Sequence, residues 1–414
     1  MSAGGSNGTS ETRSLLHQPR QVWAVAFACV VAFMGIGLVD PILPSIAADL
    51  DATPTEAELL FTSYLLITGL AMLVTSWISS RIGAKRTLLI GLALIVVFAL
   101  LAALSGNVEL VIGFRAGWGL GNALFISTAL ATIVGAASGG TSSAIILYEA
   151  ALGLGIAIGP LLGGLLGSIS WRGPFFGTAV LMAVGFVAIL TLLRGEGSAP
   201  RVKIPFSAPF TALRQPALAA LAGAAFLYNV GFFILLAYTP FPLGFDAIGI
   251  GLTFFGWGLG LAVTSVWVAP LLTRRLPRTT VIALALPLLA LDLAFAGFAI
   301  STPAALVVAV VIGGLVLGVL NTVLTESVME ATDLPRAVAS SSYSAVRFIG
   351  GAVAPPLATV LADTIAPSTP YFVAAVAVLA AALVVVLARG ALARVNGGVE
   401  TPQVEAQAIA LGDA

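Results

Sequence analysis

Several ionisable residues lie inside long apolar segments of this 414-residue chain. The acidic residues Asp40 and Glu149 and the basic residue Arg115 are the clearest examples. A charge at the centre of a membrane-spanning helix costs about 2.5–3.5 kcal/mol on insertion scales, so each needs a partner or a water-filled cavity. A carboxyl group that gains and loses an opposite charge also binds and releases a proton. These three residues are therefore candidate proton-coupling groups.

Asp40 and Arg115 fall at matching depths in two predicted spans. Each lies about five residues, or ~7–8 Å, from the outer end of its span. We expect an ion pair between them that forms and breaks as helices move; the alternative is a permanent buried pair. Glu149 is either a second proton site, an anchor for a cationic ligand or a carboxyl group near the inner rim. Glu149 and Arg347 lie at comparable depths in the two halves, so a contact between them is possible, but the spacing does not decide it.

The composition is that of a membrane protein. Hydrophobic residues make up 59% of the chain and charged residues 9%, against about 25% charged residues in soluble domains. The formal net charge is zero, which argues against a nucleic-acid partner. The single cysteine and single histidine leave no cluster for a disulfide framework or zinc, and we expect no metal or cofactor.

The hydropathy pattern predicts twelve membrane-spanning helices, since about 20 apolar residues cross the hydrocarbon core. The predicted spans are 22–45, 58–79, 87–104, 110–134, 142–166, 174–193, 217–239, 249–272, 280–300, 303–326, 338–362 and 371–388. We predict an all-α polytopic protein with two six-helix bundles around a central cavity. Its parts are an N-terminal tail (1–21), a first bundle (22–193), a central loop (194–216), a second bundle (217–388) and a C-terminal tail (389–414).

The distribution of basic residues predicts that both termini are cytoplasmic. With that orientation, fifteen of the eighteen Lys and Arg residues fall on cytoplasmic segments, the others being Arg115, Arg172 and Arg347. Cytoplasmic loops of membrane proteins carry such an excess of positive charge. We therefore expect a multi-pass protein of the plasma membrane, in contact with lipid.

Spans 5 and 11 contain small residues at every fourth position and a proline at the matching place. Such a stripe lets another helix approach closely, and a proline lets the helix bend because it cannot donate to the carbonyl four residues earlier. We interpret the stripes as a hinge or gate seam between two related halves; tight static packing is the alternative. The predicted gating residues are Gly155, Gly159, Pro160, Gly163, Gly164 and Pro355.

Four stretches resemble motifs of the major facilitator superfamily, and the resemblance covers essentially all twelve spans. They are "GLVDPILPSIAADL" (37–50), "SWISSRIGAKRT" (76–87), "RAGWGLGNA" (115–123) and "GLGIAIGPLLGG" (153–164). The second departs from the family pattern, because Ser76 and Ser80 stand where a glycine and an aspartate are usual. This puts in doubt the locking contact that the aspartate makes in relatives.

The resemblance implies the superfamily's fold and a role in transport. It points to the twelve-span drug:proton antiporter branch, with Arg115 at the position of the motif arginine often linked to proton transfer. It also implies a cytoplasmic latch formed by Arg81, Gly83, Lys85 and Arg86.

Polar and aromatic residues on the spans that face inward in the family are candidate substrate contacts. For each aromatic residue, packing against a helix or facing lipid is an equal alternative. A cavity with aromatic rings and few polar groups suits an amphipathic organic solute. The candidates are Tyr64, Asn122, Tyr148, Tyr228, Asn229, Phe233, Asn321, Tyr343, Arg347 and Phe348.

The expected function is therefore secondary transport. We expect a proton-coupled antiporter, a monomer and not an enzyme, that exports small amphipathic organic compounds or drugs, cationic ones included. The first alternative is an exporter of one metabolite, such as a sugar, an amino-acid derivative or a lipid-related solute. The second is a membrane sensor that does not transport. The sequence contains no GxxxxGK[ST] loop that would bind a nucleotide.

Overall fold

Twelve long helices run between two opposite faces of the molecule. The computed structural model describes residues 18–138, 140–193 and 203–396, without the side chains of residues 40, 140–143, 145, 146 and 149. The predicted tails (1–21 and 389–414) and central loop (194–216) lie partly outside these residues. All twelve helices are long and apolar enough to cross a membrane, and the described residues contain no strand. The predicted fold class is confirmed.

The helices form two sets of six. The first bundle contains α1 (Arg20–Gly37), α2 (Pro54–Ile82), α3 (Ala84–Ala103), α4 (Val108–Ala136), α5 (Gly140–Gly167) and α6 (Gly173–Leu192). The second contains α7 (Pro216–Phe233), α8 (Ala247–Val263), α9 (Arg278–Ala299), α10 (Pro303–Glu330), α11 (Arg336–Thr364) and α12 (Thr369–Leu387). We call the face where α1 begins and α12 ends the terminal face, and the opposite one the far face.

Helix α1 ends earlier than the predicted span 22–45. It stops at Gly37 and is followed by a 3-10 turn, Asp40–Ile42, and a short helix, Leu43–Asp49. Pro41 explains the break, because it has no N–H to donate to the Gly37 carbonyl and its ring would clash with that carbonyl. Asp40 therefore lies in a turn beyond the helix rather than within a continuous span.

Helices α7 and α8 each continue through a π-helical segment. These segments are Ile234–Tyr238 and Thr264–Val268, and the two spans end at Leu243 and Thr273. A proline, Pro240 or Pro270, comes two residues after each segment. Because proline cannot take a place in the regular ladder of hydrogen bonds, the helix widens before it.

Helix packing divides the molecule into two bundles that meet along two seams. Within the bundles, α1 packs on α4, α5 and α6, and α7 packs correspondingly on α10, α11 and α12. Between the bundles, α2 packs on α11 and α5 packs on α8. The four helices α3, α6, α9 and α12 pack chiefly on members of their own bundle, and residues such as Val180, Leu291 and Leu387 on them are exposed, as lipid contact requires.

Glycines bring helix backbones together at equivalent places in the two bundles. A Cβ atom at Gly159 of α5 would lie 2.6 Å from the Met34 carbonyl oxygen of α1. A Cβ atom at Gly350 of α11 would likewise collide with the Phe226 carbonyl oxygen of α7. Real Cβ atoms do not approach carbonyl oxygens this closely, so both positions require glycine unless the helices separate.

We predict that Gly159→Ala destabilises the protein. The added methyl group must push α1 and α5 apart, and overpacking of this kind costs about 1–3 kcal/mol. Thermal unfolding of the purified protein in detergent measures the loss. Gly113→Ala in α4 is the matched control, because nothing lies within 4 Å of a Cβ atom there. Equal unfolding temperatures for the two variants would contradict the assignment.

Candidate functional site

A small central chamber lies where the two bundles meet. Its volume is about 20 Å³, which is room for roughly one water molecule. The first bundle contributes residues of α1 and α5, and the second contributes residues of α7, α8, α10 and α11. The lining residues are Phe33, Ile36, Gly37, Leu152, Ile156, Asn229, Phe232, Phe233, Leu236, Trp257, Asn321, Arg347 and Phe348.

The two walls of this chamber differ in chemistry. Among the described residues, the lining side chains from the first bundle are apolar, namely Phe33, Ile36, Leu152 and Ile156 beside Gly37. The polar and charged groups, Asn229, Asn321 and Arg347, all come from the second bundle. A molecule between the walls therefore meets apolar side chains on both sides and, among the described residues, hydrogen-bonding side chains only on the side of the second bundle, which we call the polar wall.

The polar wall is held in place by neighbouring groups. The Tyr228 hydroxyl donates to Oδ1 of Asn321 over 2.7 Å, which leaves the Asn321 amide group as a donor toward the chamber. Nδ2 of Asn229 donates to the Ala225 carbonyl one turn earlier, over 3.0 Å. The Arg347 guanidinium lies 5.6 Å from the centre of the Phe348 ring, within the range of a cation–π contact.

Five of the ten predicted substrate contacts line the chamber, and five do not. Asn229, Phe233, Asn321, Arg347 and Phe348 belong to its wall. The others lie behind it. Tyr64 and Asn122 bond to each other inside the first bundle, Tyr148 meets the ring of Phe33 edge-on with 5.6 Å between ring centroids, Tyr228 bonds to Asn321, and Tyr343 is buried.

Sequence reasoning missed three aromatic residues of the chamber. Phe33, Phe232 and Trp257 line it, and the ring centroids of Phe232 and Trp257 are 5.5 Å apart. One signal was present for Trp257, because the pentapeptide GWGLG occurs both at 117–121 and at 256–260. No comparable sequence signal distinguishes Phe33 or Phe232 from the other apolar residues of their helices.

Arg115 is fully buried at the centre of the first bundle. Its side chain donates to the carbonyl oxygens of Gly35 and Leu60, over 3.4 and 3.5 Å. Its guanidinium carbon lies 4.3 Å from the ring centroid of Tyr64 and 4.7 Å from that of Trp118. These contacts bring Arg115 to the last turn of α1, just before the break at which Asp40 lies.

The side chains of the other two predicted proton-coupling residues are outside the described residues. The backbone of Asp40 forms the first residue of the 3-10 turn after α1, and Glu149 lies in α5, next to Tyr148. The expected pairing of Asp40 with Arg115 therefore stays a prediction. The same holds for a contact between Glu149 and Arg347.

The predicted gating residues of α5 lie on two different faces. Cβ atoms at Gly155, Gly159 and Gly163 would all meet backbone atoms of residues 30–38, in and just after α1 of the same bundle. Their stripe thus packs inside one bundle, which differs from the expected seam between bundles.

The seam itself runs along the adjacent face of α5. A Cβ atom at Gly164 would lie 2.5 Å from the Ala247 carbonyl oxygen of α8, and one at Gly251 of α8 would lie 2.7 Å from the Pro160 carbonyl oxygen. Gly164 and Pro160 therefore belong to the seam. Pro355 of α11 is buried within its helix.

The far face is closed where the bundles meet. The short helix Leu43–Asp49 contacts Pro240–Leu243 of the second bundle, and Nε1 of Trp171 donates to Oδ2 of Asp49 over 2.6 Å. Together with the contact between Gly164 and Ala247, these contacts cover the chamber on that side.

A larger polar cavity lies toward the terminal face. Its volume is about 260 Å³, and six hydroxyl side chains line it, with Ala84, Ala131, Ile204 and Ala337 completing the wall. Among the described residues, the hydroxyl oxygens of Ser76, Ser127 and Thr128 have no hydrogen-bond partner. The six hydroxyl residues are Thr75, Ser76, Ser79, Ser80, Ser127 and Thr128.

The central loop docks beside this cavity on the end of α2. The Ile204 N–H donates to the Ser80 hydroxyl over 3.2 Å, and the Arg81 guanidinium donates to the Ile204 carbonyl over 3.3 Å. The rings of Trp77 and Phe206 meet edge-on nearby. Ser80, which replaces the motif aspartate, thus binds the backbone of the loop.

The other predicted latch residues shape the turn between α2 and α3. Gly83 has a φ of 91°, which only glycine adopts readily, and it joins the two helices directly. Nζ of Lys85 donates to the carbonyl oxygens of Leu190 and Leu193, over 3.0 and 2.5 Å, and so caps the end of α6. Arg86 is exposed.

The second bundle has its own charged contact at the terminal face. Arg394, in a 3-10 turn after α12, forms a two-pronged ion pair with Asp333, which follows α10. Hydrogen bonding to the Arg394 guanidinium lowers the pKa of the exposed Asp333 carboxyl below its usual value. The stabilisation is present above the unfolded-state pKa of the carboxyl and is lost as the pH falls through the lowered value.

The comparison with known protein families agrees with this architecture. The family description "Major Facilitator Superfamily" matches residues 25–332. The chain belongs to the major facilitator superfamily. A protein of Bacillus subtilis (strain 168), "Multidrug efflux protein YfmO", is 51% identical over 389 residues, which cover 94% of this chain and 98% of that protein.

Two further proteins are similar to this chain, one in part of its sequence and one in its fold. The "Tetracenomycin C resistance and export protein" of Streptomyces glaucescens is 32% identical over 185 residues, covering 42% of this chain and 34% of that protein. The crystal structure of the human organic anion transporter MFSD10 superimposes with a TM-score of 0.69 at 17% identity, covering 88% of this chain and 99% of that chain. That likeness shows the shared fold alone.

We predict that Arg115→Lys lowers stability by about 1–3 kcal/mol, a loss usual for a broken buried polar network. A lysine ammonium is a compact charge, and it cannot reach two carbonyl oxygens and stack on two rings as the planar guanidinium does. Thermal unfolding in detergent measures the effect. Arg214→Lys, at an exposed position, is the control, and an Arg115→Lys protein as stable as that control would refute the prediction.

Proposed function

We propose that this protein exports small amphipathic organic compounds, drugs among them, in exchange for protons. The observation that carries the proposal is the chamber between the bundles, with its apolar wall on one side and its polar wall on the other. A compound with a hydrocarbon part and a hydrogen-bonding part satisfies both walls at once. The name "Multidrug efflux protein" of the relative that is 51% identical supports the same conclusion.

Export by alternating access explains the two cavities. The central chamber, at about 20 Å³, is far below the roughly 300–1,000 Å³ of ordinary ligand sites, so the bundles must separate before a solute enters. The closed far face and the polar cavity toward the terminal face fit a state that admits compounds from the terminal side. Rocking along the α2–α11 and α5–α8 seams would then expose the chamber to the far side.

Asp40 and Arg115 are the proposed coupling pair. Arg115 donates to the Gly35 carbonyl in the last turn of α1, and Asp40 follows five positions later in a turn that Pro41 separates from the helix. A carboxyl group in a turn can change its distance from a buried guanidinium without unwinding a helix. Pairing favours the ionised carboxylate and separation favours the protonated form, so the motion would move a proton.

The charge on the chamber wall bears on the choice of substrate. Arg347 is the charged group among the described lining residues. Its guanidinium favours compounds that carry an anionic group or strong hydrogen-bond acceptors over lipophilic cations. We propose that Glu149, if it reaches the chamber when the bundles move, provides the balancing acid for cationic compounds.

The remaining expectations complete the proposal. We propose that the terminal face is cytoplasmic, because basic residues concentrate there, and that the protein works as a monomer in the plasma membrane. We propose no enzymatic step and no nucleic-acid partner. In the part of the chain that the structure describes, no group of three or more His, Cys, Asp or Glu residues could hold a metal ion.

The test of function uses proteoliposomes with an imposed pH gradient. Movement of a fluorescent amphipathic compound and decay of the gradient are recorded together, for the wild type and for Asp40→Asn. We expect the wild type to couple the two fluxes and Asp40→Asn to lose the coupling, because an amide cannot bind and release the proton.

Asp51→Asn is the matched control for this test. Asp51 is an exposed acid just after the short helix Leu43–Asp49. Asparagine adopts its φ of 52° as readily as aspartate does. If Asp40→Asn still couples the two fluxes, Glu149 becomes the proposed proton-binding residue instead. A wild type that moves neither protons nor compound would reject multidrug export, and a panel of single metabolites would follow.

We predict that Arg347→Gln changes which compounds are transported. Removing the guanidinium should lower transport of an anionic dye about tenfold or more, one lost charge-assisted hydrogen bond being worth ~1.5–3 kcal/mol, and should spare a lipophilic cation. Arg347→Lys, which keeps the charge, should recover part of the anion transport. Competition assays in the same vesicles measure both, and an equal loss for anion and cation would assign Arg347 a structural role instead.

A further inference from the structure

Glu58 is a fully buried acidic residue at the seam between the bundles. It lies in the second turn of α2, near the far face, and is 0% exposed. Helix α2 packs there on α11 of the other bundle and contacts the π-helical segment that follows α7. Glu58 is therefore covered by contacts of α2 with the second bundle, near the end of the molecule where the far face is closed.

No basic side chain among the described residues forms an ion pair with Glu58. Neither carboxylate oxygen makes a hydrogen bond to a described residue. Removing an ionised carboxylate from water without partners is strongly unfavourable. The closed far face thus accepts Glu58 only in its neutral, protonated form.

Two groups on α11 act on the Glu58 carboxyl in opposite senses. The Thr359 hydroxyl can hydrogen-bond to the ionised form, and Asp363, near the end of α11, is a like charge that opposes it. On the π-helical segment, Tyr238 is close enough to interact electrostatically with both Glu58 and Asp363, and its hydroxyl donates to the Pro367 carbonyl over 2.9 Å.

Other titratable groups on elements packed against α2 are engaged elsewhere. Asp49 of the short helix accepts from Trp171, and Arg115 of α4 donates to the Gly35 and Leu60 carbonyls. On α2 itself, Glu56 accepts from the N–H and hydroxyl of Thr53 in a capping box. Arg115 thus has hydrogen-bond partners other than Glu58.

We propose that Glu58 is a proton-binding residue that controls closure of the far face. Binding of a proton to Glu58 from the far side permits α2 and α11 to close over it. Loss of that proton drives the two helices apart, because the ionised carboxylate must reach water. This inference rests on the proposed exchange with protons and adds to it a second proton-binding group, distinct from Asp40.

Protonation of Glu58 and closure of the far face follow a fixed order. With the far face open, Glu58 is hydrated and in equilibrium with protons of the far side. Protonation must come before closure, and only a closed far face allows the terminal side to open. A high proton concentration on the far side therefore speeds the return of the empty carrier.

The experiment measures the distance between the far ends of α2 and α11 as a function of pH. Spin labels are attached to cysteines at Thr55, in the first turn of α2, and at the exposed Ile365, after α11, in a Cys29→Ser background because Cys29 is the sole native cysteine. Pulsed dipolar spectroscopy then gives the distance at about pH 5.5 and about pH 8.5, on either side of neutrality. We expect the wild type to shift by several Å toward longer distances at the higher pH.

Glu58→Gln should keep the short distance at both pH values, since glutamine imitates the protonated acid. Glu56→Gln is the matched control two residues earlier, because Gln also completes a capping box, and it should behave as the wild type. Asp363→Asn removes the like charge beside Glu58. Ionised Glu58 is then less unfavourable in the closed state, so the drive to open is weaker and opening should require a higher pH.

Two results would overturn the proposal. One is a Glu58→Gln protein that opens with pH as the wild type does, and the other is a wild type whose distance does not change with pH. The distance is measured without any transported compound. A wild type that opens with pH but fails to exchange protons for compounds in vesicles would therefore reject the proposed function and leave the role of Glu58 intact.

Discussion

The close approach of helix backbones at glycine is the contact on which this architecture depends. Helix α5 lies between α1 of its own bundle and α8 of the other, and it has a glycine-lined face toward each. Gly159 admits the carbonyl of Met34, and Gly164 admits that of Ala247. Since lipid gives helices no hydrophobic reason to associate, such van der Waals contacts supply much of the packing energy.

The two walls of the chamber differ in chemistry because each wall comes from a different bundle. Its apolar wall comes from α1 and α5, which the stripe of Gly155, Gly159 and Gly163 holds together as one unit. Its polar wall comes from α7, α10 and α11, where the bond from Tyr228 to Asn321 fixes the amide. Because each wall belongs to one bundle, relative motion of the bundles changes the distance between the walls without disturbing either. Two other ionisable residues lie outside the chamber, Arg115 deep in the first bundle and Glu58 at the seam.

The sequence predicts the helices well, and it predicts less well which residues line the chamber and which helices contact each other. Hydropathy and length fixed all twelve spans, and the break after Gly37 could have been found from Pro41. The polar chamber residues Asn229, Asn321 and Arg347 were identified, because polar groups in apolar helices are conspicuous. Phe33 and Phe232 were not, since an aromatic ring in a hydrophobic helix is equally suited to lipid. Gly163 and Gly164 were predicted to belong to one gating seam. Successive residues of an α-helix point about 100° apart, so the two lie on different faces of α5, and only the packing shows which bundle each one meets.

The π-helical segment Ile234–Tyr238 has a consequence for how this protein tolerates insertions and deletions. A π turn holds one residue more than an α turn, so it sets the angular offset between Asn229 on the chamber wall and Tyr238 beside Glu58. Deleting one residue there would restore a regular α-helix and rotate one part against the other by about 100°. Asn229 and Tyr238 would then no longer keep their present directions together, although the polar lining residues Asn229, Asn321 and Arg347 would all still be present. Length, as well as residue identity, is under constraint in this stretch of the helix.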